Sequence, residues 1–352
     1  MLRSLKFCFQ SLRRNTPASL FVNYRKYDLF FRSNLRQAIH LKHNMKPTFS
    51  FPLDKSKKIL LGFSIVGLMN FLNIDPEKED SELIKIIKLG EIDLSRGDYN
   101  KAERLFHVAL HVAQELRNED AVTYIFDRLA NIAFDTNKND KARKLFIKVM
   151  QRLLAKGMDK EDLIIIHISF KIAKIFESIN DYEQAEVGYQ YCLKSIKNKL
   201  NKECENSEDA IDLCRMIMTG YAYFLFTLNK FTESFEYFKK AYDINVESKQ
   251  GKEDELIFLL NNMGTVCRQN GDTENALKYL LEAEEIGKKF PDLKNFSFVY
   301  LNLGYLYLEN KMLKEAKRYC RKALINAKRH VFEEGFEKSE ECLKQVLAAL
   351  KE

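Results

Sequence analysis

Beyond residue 83 the chain repeats one arrangement of apolar and polar positions. Apolar residues recur three and four apart, the spacing of one buried helix face. Each unit has two such stretches. The first carries a large residue followed by Gly or Ala. The second carries an alanine, an aromatic or apolar residue four places on, and a small residue three after that. Leu89 and Gly90 precede Ala102, Phe106 and Ala109, and Leu129 and Ala130 precede Ala142, Phe146 and Val149. Ile172 and Ala173 precede Ala185, Tyr189 and Cys192, and Tyr221 and Ala222 precede Ser234, Phe238 and Ala241, the weakest match. Met263 and Gly264 then precede Ala276, Leu280 and Ala283, and Leu303 and Gly304 precede Ala316, Cys320 and Ala323. A small residue in the first helix lets two backbones approach closely, and the bulky side chain of the second fills the space beside them. The intervening stretches RGDYNKA, NKNDKA, INDYEQA, LNKFTES, NGDTENA and ENKMLKEA carry the Asn, Gly, Asp and Lys that a tight turn between helices needs.

This is the tetratricopeptide pattern, in which stacked helix pairs bury a continuous core. The second-helix anchors at 102, 142, 185, 234, 276 and 316 are 40 to 49 residues apart, against a basic step of about 34. The surplus predicts longer second helices or links, including a charged stretch at 197–209. Residues 333–350 form a further amphipathic stretch placed to cap the last pair. The predicted fold class is all-α: a right-handed superhelical solenoid of about six tetratricopeptide-type helix pairs with a C-terminal capping helix, occupying residues 81–352. Five prolines and thirteen glycines in 352 residues agree with helix almost throughout.

The net charge of +7 is unevenly spread. Residues 1–58 hold 13 Lys or Arg against Asp28 and Asp54, which leaves 44 basic and 48 acidic residues for the rest. The basic excess therefore belongs to the N-terminal segment and gives the repeats no nucleic-acid footprint. Arginines spaced among Leu, Phe and Ser with few acids are the composition of a mitochondrial transit segment. Arg13, Arg14, Arg25 and Arg32 deny it the unbroken apolar core of a secretory signal. Residues 59–74, ILLGFSIVGLMNFLNI, contain no charge and follow KSKK. As a helix they rise about 24 Å, short of the ~30 Å hydrocarbon core, so they are a short membrane-anchor candidate. The same run also reads as a helix packed on the first repeat. If it spans, the Lys/Arg bias places the repeats in the intermembrane space, with the matrix side left open.

No phosphate-binding loop, dinucleotide fingerprint or nucleophile elbow occurs. No cofactor is expected, and no enzyme. His107 and His111 stand at i and i+4, but no third metal ligand is signalled. The seven cysteines form no CxxC. Cys192, Cys267 and Cys320 fall at core positions and are expected as buried thiols.

The first helices offer a concave face instead. Its expected lining for an extended peptide or partner helix is Tyr124, Asp127, Asn131, Lys174, Tyr223, Asn261, Asn262, Arg268, Asn302 and Tyr305, with His167, Phe258 and Phe298 beside them. Asn262 and Asn302, in equivalent places, suggest an asparagine ladder along a bound chain.

More specific stretches lie inside the repeats: AVTYIFDRLANIAF at 121–134, KGMDKED at 156–162, ISFKIA at 168–173, AEVGYQYC at 185–192, YLNLG at 300–304 and the segment 314–327. Through them the chain resembles the tetratricopeptide repeat protein 19 family of mitochondrial factors. That resemblance implies a non-enzymatic inner-membrane scaffold for respiratory complex III. Its implied roles are assembly and maintenance of the complex and clearance of fragments of the Rieske iron–sulfur subunit, with no nucleic-acid partner. Two other readings stand beside it. One is a cytosolic cargo or chaperone adaptor resembling kinesin light chain, whose repeats step similarly and carry Asn pairs such as Asn261 and Asn262. The other is a regulator of a protease that removes Rieske fragments.

Overall fold

The structure is a computed structural model, and it describes residues 82–202, 208–247, 253–290, 293 and 296–351. The expected transit segment 1–58 and the anchor candidate 59–74 lie outside the described residues. The described chain forms thirteen helices and no strand. They are α1 (Glu82–Ser95), α2 (Tyr99–Glu115), α3 (Glu119–Asp135), α4 (Asn139–Ala155), α5 (Leu163–Ser178), α6 (Tyr182–Lys202) and α7 (Glu208–Thr227). There follow α8 (Phe231–Glu247), α9 (Glu253–Gln269), α10 (Thr273–Gly287), α11 (Ser297–Glu309), α12 (Leu313–Arg329) and α13 (Glu333–Ala349). Six antiparallel pairs and a capping helix result, in the register of the sequence anchors. The longest step, 49 residues between anchors 185 and 234, runs through the two longest helices, the second helix α6 of 21 residues and the first helix α7 of 20.

The anchors explain the packing. Ala102, Ala142, Ala185, Ser234, Ala276 and Ala316 are all fully buried, as are Phe106, Phe146, Tyr189, Phe238, Leu280 and Cys320 four places on. Gly264 shows why its position must be small: a Cβ there meets Leu280 Cγ at 2.6 Å and the Ala276 carbonyl oxygen at 3.2 Å. The fourth pair is as regular as the others despite its serine. Ser234 Oγ donates to the Ala222 carbonyl at 2.7 Å, so its buried hydroxyl is satisfied within the hairpin. Helix starts are fixed by side chains: Asn118 accepts from Ala121 N, Asp162 from Ile164 N and Asp272 from Asn275 N.

The turns within pairs repeat one device. The residue five before each second-helix anchor has positive φ: Gly97, Asn137, Asn180, Asn229, Gly271 and Lys311. Gly and Asn tolerate this left-handed conformation; other residues pay a steric cost. Val331, in the turn before α13, has φ +49° and is almost fully exposed. A β-branched side chain there is strained without packing in return. Val331→Gly is therefore expected to stabilise the protein by about 1 kcal/mol. Urea denaturation checks this; an unchanged or lowered midpoint refutes it.

One cysteine expectation is corrected. Cys192, Cys214 and Cys267 are free and buried, but Cys320 is joined to Cys342 by a disulfide. Helices α12 and α13 run antiparallel, which brings these two residues, 22 apart in sequence, face to face with a Cα–Cα distance of 5.8 Å.

Candidate functional site

The inner stripe of the first helices α1, α3, α5, α7, α9 and α11 is the candidate interaction site. Its polar side chains form two chains of bonds from repeat to repeat. In the first, Glu91 of α1 receives two hydrogen bonds and a further ion-pair contact from α3. Tyr124 Oη donates to Oε1 at 2.9 Å, Arg128 Nε lies 2.7 Å from Oε1, and Arg128 Nη2 donates to Oε2 at 3.2 Å. One turn on, Asn131 Nδ2 donates to Asp127 Oδ2 at 2.9 Å, while Lys171 Nζ of α5 donates to Asn131 Oδ1 at 2.5 Å. Arg128, Asp127, Lys171 and the neighbouring His167 are all buried. Burial sets their acid–base character. It raises the Asp127 carboxyl above the ordinary carboxylate range and brings Lys171 down to about 8 against the pull of Asp127. His167 is held well below its usual value by burial and by Lys171, so it stays neutral.

The second chain joins α7, α9 and α11. Asn262 Nδ2 donates to Tyr223 Oη at 2.6 Å. Asn302 Nδ2 donates to Asn261 Oδ1 at 2.8 Å and to Thr265 Oγ1 at 3.0 Å. Arg268 Nη1 pairs with Glu309 Oε1 at 2.8 Å and its guanidinium lies 5.8 Å from the Tyr305 ring. Tyr305 Oη reaches the Lys338 carbonyl of the cap at 3.5 Å, and burial pushes its hydroxyl up to about 12.

The expected open lining is thus corrected in a specific way. Tyr124, Asp127, Asn131, Tyr223, Asn261, Asn262, Arg268, Asn302 and Tyr305 are buried, and only Lys174 of the ten is half-exposed. Asn262 and Asn302, expected as a ladder along a bound chain, instead bond from helix to helix and to different partners, Asn262 to Tyr223 and Asn302 to Asn261 and Thr265. The physical reason is that a buried amide or charge needs a partner, and neighbouring first helices place one within reach. Sequence reasoning passed over Glu91, Arg128 and Lys171. For Arg128 and Lys171 the missed signal is the position two before the small residue, which also holds Asn262 and Asn302.

Elsewhere, His111 Nδ1 lies 3.3 Å from Glu115 on an exposed face. Among the described residues no group of three potential ligands is placed to hold a metal. No described helix is long and apolar enough to cross a membrane.

Comparison with known proteins agrees with this architecture. Two tetratricopeptide repeat family models match residues 213–289 and 299–324. The tetratricopeptide repeat protein 19 homolog, mitochondrial, of Drosophila melanogaster is 31% identical over 291 residues, covering 82% of this chain and 79% of the fly protein. The chain belongs to the tetratricopeptide repeat protein 19 family. The Homo sapiens member, also named mitochondrial, is 27% identical over 263 residues, covering 72% of this chain and 68% of its own. These family names support a mitochondrial location. Among solved structures, the apo form of RapI aligns with TM-score 0.55 at 13% identity, covering 77% of this chain and 98% of that one. BtubC of P. vanneervenii aligns with TM-score 0.51 at 21% identity, covering 67% and 92%. Both show the fold alone. A tetratricopeptide scaffold implies protein partners, and no described element forms a nucleic-acid-binding fold.

Proposed function

We propose that this protein is a non-enzymatic scaffold of the mitochondrial inner membrane that acts on respiratory complex III. It supports assembly and maintenance of the complex, and it promotes clearance of Rieske iron–sulfur protein fragments. Family membership across most of the chain is the observation that carries the reading. The basic N-terminal segment agrees with import, and the continuous helix array supplies surface for binding a subunit. The polar inner stripe contributes by holding consecutive repeats in register, with Lys174 the one expected lining residue that retains exposed surface for a client. Co-purification from gently solubilised mitochondria is expected to recover complex III subunits with the Rieske protein among them. Depletion of the protein is expected to let N-terminal Rieske fragments accumulate. A protein found only in cytosol, or a capture devoid of complex III, overturns the proposal. Recovery of a protease whose rate the protein alters, without complex III, favours a protease regulator instead.

A further inference from the structure

The first helix pair exposes apolar side chains at positions that later pairs bury. Leu89, one residue before Gly90, is 52% exposed, whereas its equivalents Leu129, Tyr221, Met263 and Leu303 are at most 5% exposed; Ile172 is half-buried. Ile92, two residues after Gly90, is 44% exposed, whereas Ile132, Ile175, Phe224, Val266 and Leu306 are at most 2% exposed. The cover in the later pairs comes from the second helix of the pair before. The Tyr189 ring of α6 lies 5.5 Å from Tyr221 and 5.2 Å from Phe224 of α7. Phe238 of α8 shares a core with Met263 and Val266 of α9, and Leu280 of α10 shares one with Leu303 and Leu306 of α11. Leu89 and Ile92 thus present a docking edge shaped for one more second helix.

The chain just ahead has the length, chemistry and register of that helix. The charge-free run 59–74 has sixteen residues, and most of the second helices have 17. Phe63 precedes Gly90 by 27 residues, the same interval by which Phe146 precedes Ala173. Val66 stands three after Phe63, as Val149 stands three after Phe146. In the same alignment residues 75–79, DPEKE, just beyond the run, fall on MDKED at 158–162, within the link that joins α4 to α5. The i, i+3 spacing puts Phe63 and Val66 on one helix face, as the repeat requires.

We propose that residues 59–74 form the second helix of an incomplete leading repeat, and that Phe63 and Val66 cover Leu89 and Ile92. The run is then an internal cap of the solenoid and not a bilayer span. Attachment to the inner membrane comes through a protein partner. The repeat geometry places this helix in the same way whichever client the protein serves.

The full chain carrying Val66→Cys and Ile92→Cys tests this, with mild oxidation followed by peptide mapping. A link between positions 66 and 92 within one chain is expected. A link only between two copies overturns the proposal in favour of a dimer edge, and no link overturns it outright. A second measurement uses hydrogen exchange on the full chain with Leu89→Asp. Amides in 59–74 are expected to exchange at least tenfold faster than in the wild type, while α11–α13 are unchanged. Unchanged exchange in 59–74 overturns the proposal. Phosphatidylcholine–cardiolipin vesicles provide the membrane arm. If they abolish the 66–92 link and shield the thiol introduced by Val66→Cys from an aqueous maleimide, the run is a membrane segment and the proposal fails. If the link persists in their presence, it is supported.

Discussion

Arg128→Ala is expected to lower stability by about 3–5 kcal/mol, the range for stranding one member of a buried charged cluster. The guanidinium is fully buried and holds the Glu91 carboxylate through an ion pair at Nε and a hydrogen bond from Nη2, so it is the main charged link between α1 and α3. Its removal does more than open a cavity. Asp127, also buried, loses a nearby cation while burial already holds its carboxyl above the usual range. Glu91 retains only the Tyr124 hydroxyl from this group of donors, with part of its surface open to water. Arg128→Met with Glu91→Gln is expected to recover part of the loss, because apolar volume is kept and no unpaired carboxylate remains at Glu91. Urea denaturation measures both, and hydrogen exchange places the loss in α1 and α3. If Arg128→Ala falls within 1 kcal/mol of wild type, the cluster does not hold the first two pairs together.

Removing the Cys320–Cys342 bridge is expected to cost about 3 kcal/mol, from the chain entropy of a loop spanning roughly twenty residues. The penalty is local, because each element of a solenoid contacts only its neighbours. Protection in α13 is lost first, while α3–α10 keep theirs. The paired Cys320→Ser and Cys342→Ser variant, or wild type under a strong reductant, is compared with the oxidised protein by thermal melting and hydrogen exchange. Identical protection in α13 removes the disulfide from the account of the cap. So does alkylation of all seven cysteines in denatured protein never exposed to reductant.

Much of the fold was legible because the residues that define it serve local needs. Gly264 must be small for the backbones to meet, Asn137 and Asn180 tolerate positive φ, and Asn118 caps α3 through its own side chain. Each requirement involves residues close in sequence or one recurring pair, and it leaves a mark at a fixed spacing. The inner stripe was harder to read because its state depends on how one repeat is set against the next. Lys171 and Lys174 are three residues apart, about 60° around a helix, yet one is buried against Asn131 and the other is half-exposed. A helical period alone does not separate them. The disulfide escaped for a similar reason. Cys320 occupies an aromatic position of the repeat and reads as filler until α13 brings Cys342 against it.

The asparagine bonds between α9 and α11 bear on how the array yields to a client. Apolar helix contacts tolerate small slides and rotations at little cost, whereas an amide held at 2.8 Å to Asn261 and 3.0 Å to Thr265 does not. Those bonds set the pitch of the spiral in its C-terminal half, much as teeth set the pitch of a gear. A partner therefore meets a preset curvature there, and the fit must come from the partner's shape.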